Sequence, residues 1–301
     1  MRRPIFWLMM LLILAIGFSK PVEAALESTS TNSYLPIVPN DFVLGKGQVS
    51  GKITDAQTGN PIGDVSTCVV ATSNCMITDD DGIYTLDGVT AGTSYVQATP
   101  TGTNHSPLTL FVNVVASKSV VLNFSLSPAL KLGEYRIVLT WSPNRFYYAL
   151  DGTPIDNDLD AYLWVPDDPD PYLVYWNDTG NCDAFPNACL EHDVQQGNGP
   201  ETDLILPLNS LGDYHYAVYD YAYASTLSTY PGAVPPITNS SARVQIYNVT
   251  GLLYDFSVPS HGDGAFWHVF DIDGATTDIV PVNVITWTPP GPLSALLKLS
   301  K

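Results

Sequence analysis

Asp156-Asn-Asp-Leu-Asp160 is the stretch of this chain whose residue types and spacing come nearest to cation chemistry. Asp156, Asp158 and Asp160 alternate, as hard oxygen ligands do in calcium loops, and Asp151 lies just upstream. The pattern departs from an EF-hand. Ala161 stands where the sharp-turn glycine belongs, and Asp167 replaces the bidentate glutamate. A loop between strands can still gather Asp158 and Asp160 with Glu191, Asp193 or Glu201 around one calcium ion. The competing reading has Asp158 and Asp160 accepting backbone N–H groups in an acidic loop ahead of a strand. Asp271-Ile-Asp273 is a weaker echo at a strand end, and Asp79-Asp-Asp81 reads as a solvated turn.

A second kind of chemistry lies in the aromatic residues. Tyr162, Trp164, Tyr175 and Trp176 crowd one region, with Tyr147, Tyr148 and Tyr172 nearby. Exposed rings beside Asp and Asn make platforms for sugars, whose C–H faces are apolar and whose hydroxyls need polar partners. Tyrosine is equally a common strand residue. Alternating Tyr214 and Tyr216 are expected to pack inward or to line a sheet face.

Catalytic patterns are missing. There is no G-x-S-x-G elbow and no H-E-x-x-H helix. His105, His192, His215, His261 and His268 are scattered, with no pair at metal-binding spacing. Two distant carboxylates could still form a glycosidase site. The leading expectation is a protein that is not an enzyme. The alternative is an enzyme, or an enzyme accessory protein, acting on extracellular polysaccharide or peptide.

The elements that position these residues begin after a leader. Arg2 and Arg3 precede an apolar run from Phe6 to Phe18, and Val22 and Ala24 fit a small-residue cleavage pattern. Residues 1–24 therefore read as a signal peptide, with an uncleaved N-terminal anchor as the alternative. Residues 25–44 read as a flexible linker, and residues 290–301 as a C-terminal tail without a hydrophobic anchor. No later segment is long and apolar enough to span a membrane. The 301-residue chain carries a formal charge of −18, which becomes −20 once the leader is removed. That balance argues against nucleic acid as a partner, because phosphate binding needs clustered Lys and Arg. Asp dominates the acidic side, with five Glu in the chain, and 22 Gly and 24 Pro accompany many Tyr, Val and Thr. The composition points to an all-β protein. Four cysteines form two close pairs, Cys68/Cys75 and Cys182/Cys189. In an exported chain they are expected as two local disulfides. A four-cysteine zinc site would need two distant pairs to meet and lacks C-x-x-C spacing.

Short β runs at turn-like intervals fill residues 45–128. Gln48–Thr54, Val65–Thr72, Ile83–Leu86, Ser94–Ala98, Leu108–Val115 and Val120–Leu126 read as strands. Gly51-Lys-Ile-Thr-Asp-Ala-Gln-Thr-Gly-Asn-Pro-Ile-Gly63, Thr78-Asp-Asp-Asp-Gly-Ile-Tyr84 and Gly88-Val-Thr-Ala-Gly92 resemble the carboxypeptidase regulatory-like domain. The resemblance implies a transthyretin-like sandwich within the carbohydrate-binding-like folds. It assigns no activity, because the matching residues build turns.

Residues 133–289, after the connector Pro128–Leu132, hold five of six Trp and fourteen of seventeen Tyr. About nine strands are expected there, enough for a larger antiparallel sandwich. Arg136-Ile-Val-Leu-Thr-Trp141, Asp158-Leu-Asp-Ala-Tyr-Leu-Trp164, Gly197-Asn-Gly-Pro-Glu-Thr202, Asp213-Tyr-His-Tyr-Ala-Val-Tyr219 and Phe266-Trp-His-Val-Phe-Asp-Ile-Asp273 resemble the YfaP-type domain. That resemblance implies a bacterial exported β module with no assigned activity and transfers no catalytic residue. The Cys182–Cys189 stretch departs from it and reads as a stapled loop. The whole sequence reads as two tandem β-sandwiches in a secreted or cell-surface protein that binds an extracellular glycan or protein. Calcium at Asp156, Asp158, Asp160, Asp193 and Glu201 is the one candidate cofactor, and none is required.

Overall fold

The computed structural model describes residues 45–141, 147–148, 154–155, 158–195, 199–227 and 236–292. The expected signal peptide, the whole expected linker and most of the expected tail lie outside them, as does Asp156. The chain is all-β. Eight strands build the first half: β1 (Lys46–Asp55), β2 (Val65–Val69), β3 (Cys75–Ile77), β4 (Ile83–Thr90), β5 (Gly92–Pro100), β6 (Leu108–Val114), β7 (Ser119–Val121) and β8 (Phe124–Leu126). One sheet has the order β4-β1-β7, with β8 also on β1, and the facing sheet runs β3-β2-β5-β6. Strict alternation drives this half. Leu108, Leu110, Val112 and Val114 of β6 point inward while the residues between them face water. Gly82 is required in the turn before β4. Its φ is +74°, and a Cβ there would lie 2.4 Å from the Ile53 carbonyl oxygen. The Cys68–Cys75 disulfide ties β2 to β3, where the two residues pair directly.

The second half adds β9 (Tyr135–Thr140), β10 (Tyr147–Tyr148), β11 (Pro154–Ile155), β12 (Leu159–Val165), β13 (Tyr172–Val174), β14 (Gly180–Asn181), β15 (Ala188–His192), β16 (Glu201–Ile205), β17 (Asp213–Asp220), β18 (Arg243–Asn248), β19 (Gly251–Ser257), β20 (Phe266–Asp273) and β21 (Ile279–Thr286). A five-stranded sheet, β13-β12-β17-β20-β21, faces a six-stranded sheet, β14-β15-β16-β9-β18-β19. Ile137, Leu139, Leu163, Tyr216, Val244, Ile246 and Trp267 fill the space between them. Tyr214 and Tyr216 belong to this core, as their alternation predicts. The Cys182–Cys189 stretch is more than a loop. Its disulfide closes a hairpin in which Gly180 pairs with Cys189 and Asn181 with Ala188. One short helix, α1 (Tyr221–Leu227), follows β17.

Each half has its own apolar core. The outer face of the six-stranded sheet packs on the first half through Ala56, Leu130, Val138, Leu204 and Tyr247. Polar contacts complete this seam. The Thr202 hydroxyl donates to the Ala56 carbonyl, and Gln57 donates to Glu191 at 2.7 Å. Arg136 lies at its centre, with Nε 2.8 Å from Glu191 and Nη1 2.9 Å from the Pro128 carbonyl. Leu130 of the connector is buried in this seam, while Lys131 and Leu132 are exposed. Among the described residues no helix is long and apolar enough to cross a membrane, and two disulfides fit an extracellular protein.

Candidate functional site

Asp160 and Glu201 come from opposite sheets and meet at one edge of the second sandwich. The geometry follows from strand pairing. On one side β12 pairs with β13 only over Leu163–Val165, which leaves the backbone edge at Ala161 open. Glu201, the first residue of β16, fills that gap. Its Oε2 accepts the Ala161 N–H at 2.6 Å. Asp158, just before β12, completes the group: one ligand atom from each of Asp158, Asp160 and Glu201 lies within 4.8 Å of the others.

Burial makes this cluster unusual. Glu201 is 1% exposed and Asp160 is 4% exposed. Glu201 Oε1 and Asp160 Oδ2 are buried with no hydrogen-bond partner among the described residues. Burial, reinforced by Asp158, Asp193 and Asp220, pushes the Asp160 carboxyl up to about 8. Burial raises Glu201 well above the usual carboxylate range as well, helped by Asp160, Asp193 and Asp158 and opposed by the Ala161 hydrogen bond. Carboxylates gathered in this way either take up protons or share a cation. An all-oxygen, all-carboxylate set suits a hard divalent ion of the calcium type.

The expected ligands thus separate. Asp158, Asp160 and Glu201 converge, exposed Asp193 acts on them electrostatically, and Asp156 lies outside the described residues. Glu191, the other glutamate the sequence offered, turns away to Arg136. Asp220 was missed. It is fully buried, pairs in register with Leu159, and accepts the Tyr223 N–H at 3.0 Å at the start of α1. An Asp directly before a short helix is the signal that marks such a cap. Asp203, two residues beyond Glu201, faces the core with no hydrogen-bond partner on either oxygen among the described residues, and burial drives its carboxyl well up.

The aromatic platform needs correcting. Tyr162, Trp164 and Tyr175 are 5, 0 and 2% exposed and form an apolar cluster with Leu173, Ala217 and Phe266. Tyr162 lies 5.4 Å from Tyr175 and 5.9 Å from Phe266, ring centre to ring centre. The reason Trp164 is withdrawn is Gly291, which passes so close that a Cβ there would sit 2.2 Å from the indole. Only Trp176, of the four, remains exposed. The side chains of Tyr147 and Tyr148 lie outside the described residues. The histidines are not all isolated either. His215 and His268 face each other across β17 and β20, with ring centres 6.0 Å apart.

A cleft of about 600 Å³ lies where the two sandwiches meet. Lys52, Thr54, Asn123 and Ser125 line one side, and Thr140, Trp141, Arg243 and Gln245 the other. Arg243 is held by Asp255 through two 2.6 Å contacts and lies 5.0 Å over the Phe111 ring. Among the described residues no Asp, Glu or His lines this cleft.

No family model and no curated protein matches the chain. Solved structures that match the chain include a homologue of telluride resistance protein from Streptomyces coelicolor A3(2), at 12% identity and TM-score 0.37, covering 55% of this chain and 95% of that one. A DUF3823 family protein from Bacteroides ovatus covers 72% of this chain and all of its own, at 12% identity and TM-score 0.22. A cohesin–X-dockerin complex from Acetivibrio cellulolyticus matches at 21% identity and TM-score 0.23, covering 28% of this chain. This chain spans just over half, 58%, of that last one. Superpositions this loose carry no functional information.

Proposed function

We propose that this chain is a non-catalytic binding protein of the cell exterior, built from a carboxypeptidase regulatory-like sandwich and a YfaP-type sandwich, the second braced by calcium. The observation that carries the metal reading is the convergence of Asp158, Asp160 and Glu201 within 4.8 Å, two of them almost wholly buried. The ion would be held by these three, with Asp193 adding negative field. It would link β12 to β16 and so clamp the two sheets at that edge. Calcium titration calorimetry of the full chain tests this. One calcium ion per chain, lost in Asp158→Asn/Asp160→Asn, supports it; no heat of binding opposes it.

The ligand would sit in the cleft between the sandwiches. Its volume suits a small ligand. Hydroxyls and amides there match an oligosaccharide better than an apolar ligand. The lack of opposed carboxylates among its described lining residues favours binding over glycoside hydrolysis. A glycan array probed with the full chain, with and without calcium, is the test. Lys52 and Ser119 both line the cleft, and binding that falls in Lys52→Ala/Ser119→Ala supports it. Binding unchanged in that variant moves the ligand elsewhere, and cleavage of a bound polysaccharide would restore the enzyme alternative.

A further inference from the structure

We infer that His215, His268 and Asp271 form a second metal site, for a zinc-like transition-metal ion, on the outer face of the five-stranded sheet. The three residues come from neighbouring strands, β17 and β20, in which His215 pairs directly with Asp271. His268 and Asp271 are three positions apart, so a regular strand would point them to opposite faces. A bulge prevents that. The β17–β20 register shifts between Tyr216 and Ala217, and Val269 and Phe270 both enter the core. His268 and Asp271 therefore emerge on the same outer face, beside His215. Bulges re-aim side chains, and here the result is a convergence of donors.

The donor atoms meet at one point. Asp271 Oδ1 lies 2.6 Å from His215 Nδ1 and 2.7 Å from His268 Nε2. Two imidazoles and one carboxylate form a ligand set that zinc and its neighbours use, and one unlike the all-carboxylate group at Asp160. Separating the contacts by less than about 1 Å would admit an ion at zinc bond lengths. Each imidazole would then bind through the nitrogen that now faces Asp271 and carry its proton on the other. The side chains are 27, 17 and 26% exposed, so an ion can enter from solvent. Trp164, Val280 and Val284 stand opposite these residues on the flanking strands and give the site apolar sides. Three protein ligands leave one tetrahedral position for water or for a donor from a bound partner.

Zinc titration of the full chain, stripped beforehand with a chelator, tests the site, with cobalt absorption as the report of coordination geometry. One zinc per chain is expected, weakened at least about tenfold in His215→Ala and in His268→Gln. Cobalt should give a tetrahedral spectrum that both variants lose. Asp158→Asn/Asp160→Asn should leave zinc binding intact, and the histidine variants should still unfold cooperatively in the absence of metal, at a melting temperature lowered only by the lost His–Asp contact, which separates ligand loss from misfolding. No zinc binding by the wild type, or equal binding by the histidine variants, would reduce the trio to a hydrogen-bonded His–Asp–His brace and overturn the assignment.

Discussion

Two runs of aspartate, one in each sandwich, have similar sequence and opposite physics. Asp79–Asp81 is the denser run, and all three residues are exposed. Asp79 Oδ1 accepts the N–H groups of Asp81 and Ile83 at 3.1 and 2.8 Å, so its charge is spent on closing a turn. Asp158 and Asp160 are sparser, yet with Glu201 they converge out of water, and among the described residues one oxygen of Asp160 and one of Glu201 have no hydrogen-bond partner. Acidic density in a sequence therefore says little. Burial and the supply of donors decide whether a carboxylate is a turn-former or a ligand. The Arg136–Glu191 pair offers a third case: a carboxylate whose side chain is 7% exposed, with its cation built into the chain.

That third case gives the largest expected effect. Arg136→Met would turn Glu191 into a buried carboxylate without its cation, the condition of Glu201. Loss of one partner of a buried pair should destabilise the chain by about 3–5 kcal/mol, read by urea denaturation. A loss under about 1 kcal/mol would show that the seam tolerates unpaired charge and would weaken the contrast.

Next comes pH. A carboxyl raised to about 8 in the fold holds a proton that the unfolded chain, titrating near 3.8, has lost. Metal-free protein should therefore lose stability as pH rises from about 4 to about 8. Asp160→Asn removes that titration and should flatten the slope. Calcium affinity should move the other way and rise across the same window, because protons and the ion compete for the same oxygens. A metal-free stability independent of pH, or one with the same slope in Asp160→Asn, would count against a crowded acidic site. The smallest effect belongs to the turn. Asp79→Ala removes two hydrogen bonds at an exposed site and should cost about 1 kcal/mol, with no change in the calcium response.

Alternation made much of the fold legible. Leu108–Val114 carries its inward face in plain sequence, Ile137 and Leu139 face the core as their spacing predicts, and the cysteine spacing marked both disulfides. β15 was hidden because it lies at the end of the stapled stretch, where cysteine and turn residues mask a strand. Trp164 could not be recognised as buried, since its cover is Gly291, more than a hundred residues away. Glu191, Asp193 and Glu201 are all open to Asp160 in sequence. Only the pairing of β16 with β9 decides that Glu201 faces the core while Glu191 reaches Arg136. The His215–His268–Asp271 trio was invisible for a similar reason: a bulge changes which residues share a face, and simple alternation does not contain it.

Thermal unfolding of the full chain, in chelator and in about 10 mM calcium, tests the central claim most directly; that concentration is roughly tenfold above the weak end of affinities for extracellular calcium modules. A bound ion stabilises by up to about 2.7 kcal/mol at a hundredfold excess over Kd. In a chain of this size each kcal/mol raises the melting temperature by about 2–4 °C. The wild type and Asp79→Ala should both gain several degrees with calcium, magnesium should give less, and Asp158→Asn/Asp160→Asn should gain nothing. A wild-type melting temperature indifferent to calcium, or an equal gain in Asp158→Asn/Asp160→Asn, would contradict the account and leave the buried carboxylates as protonated acids.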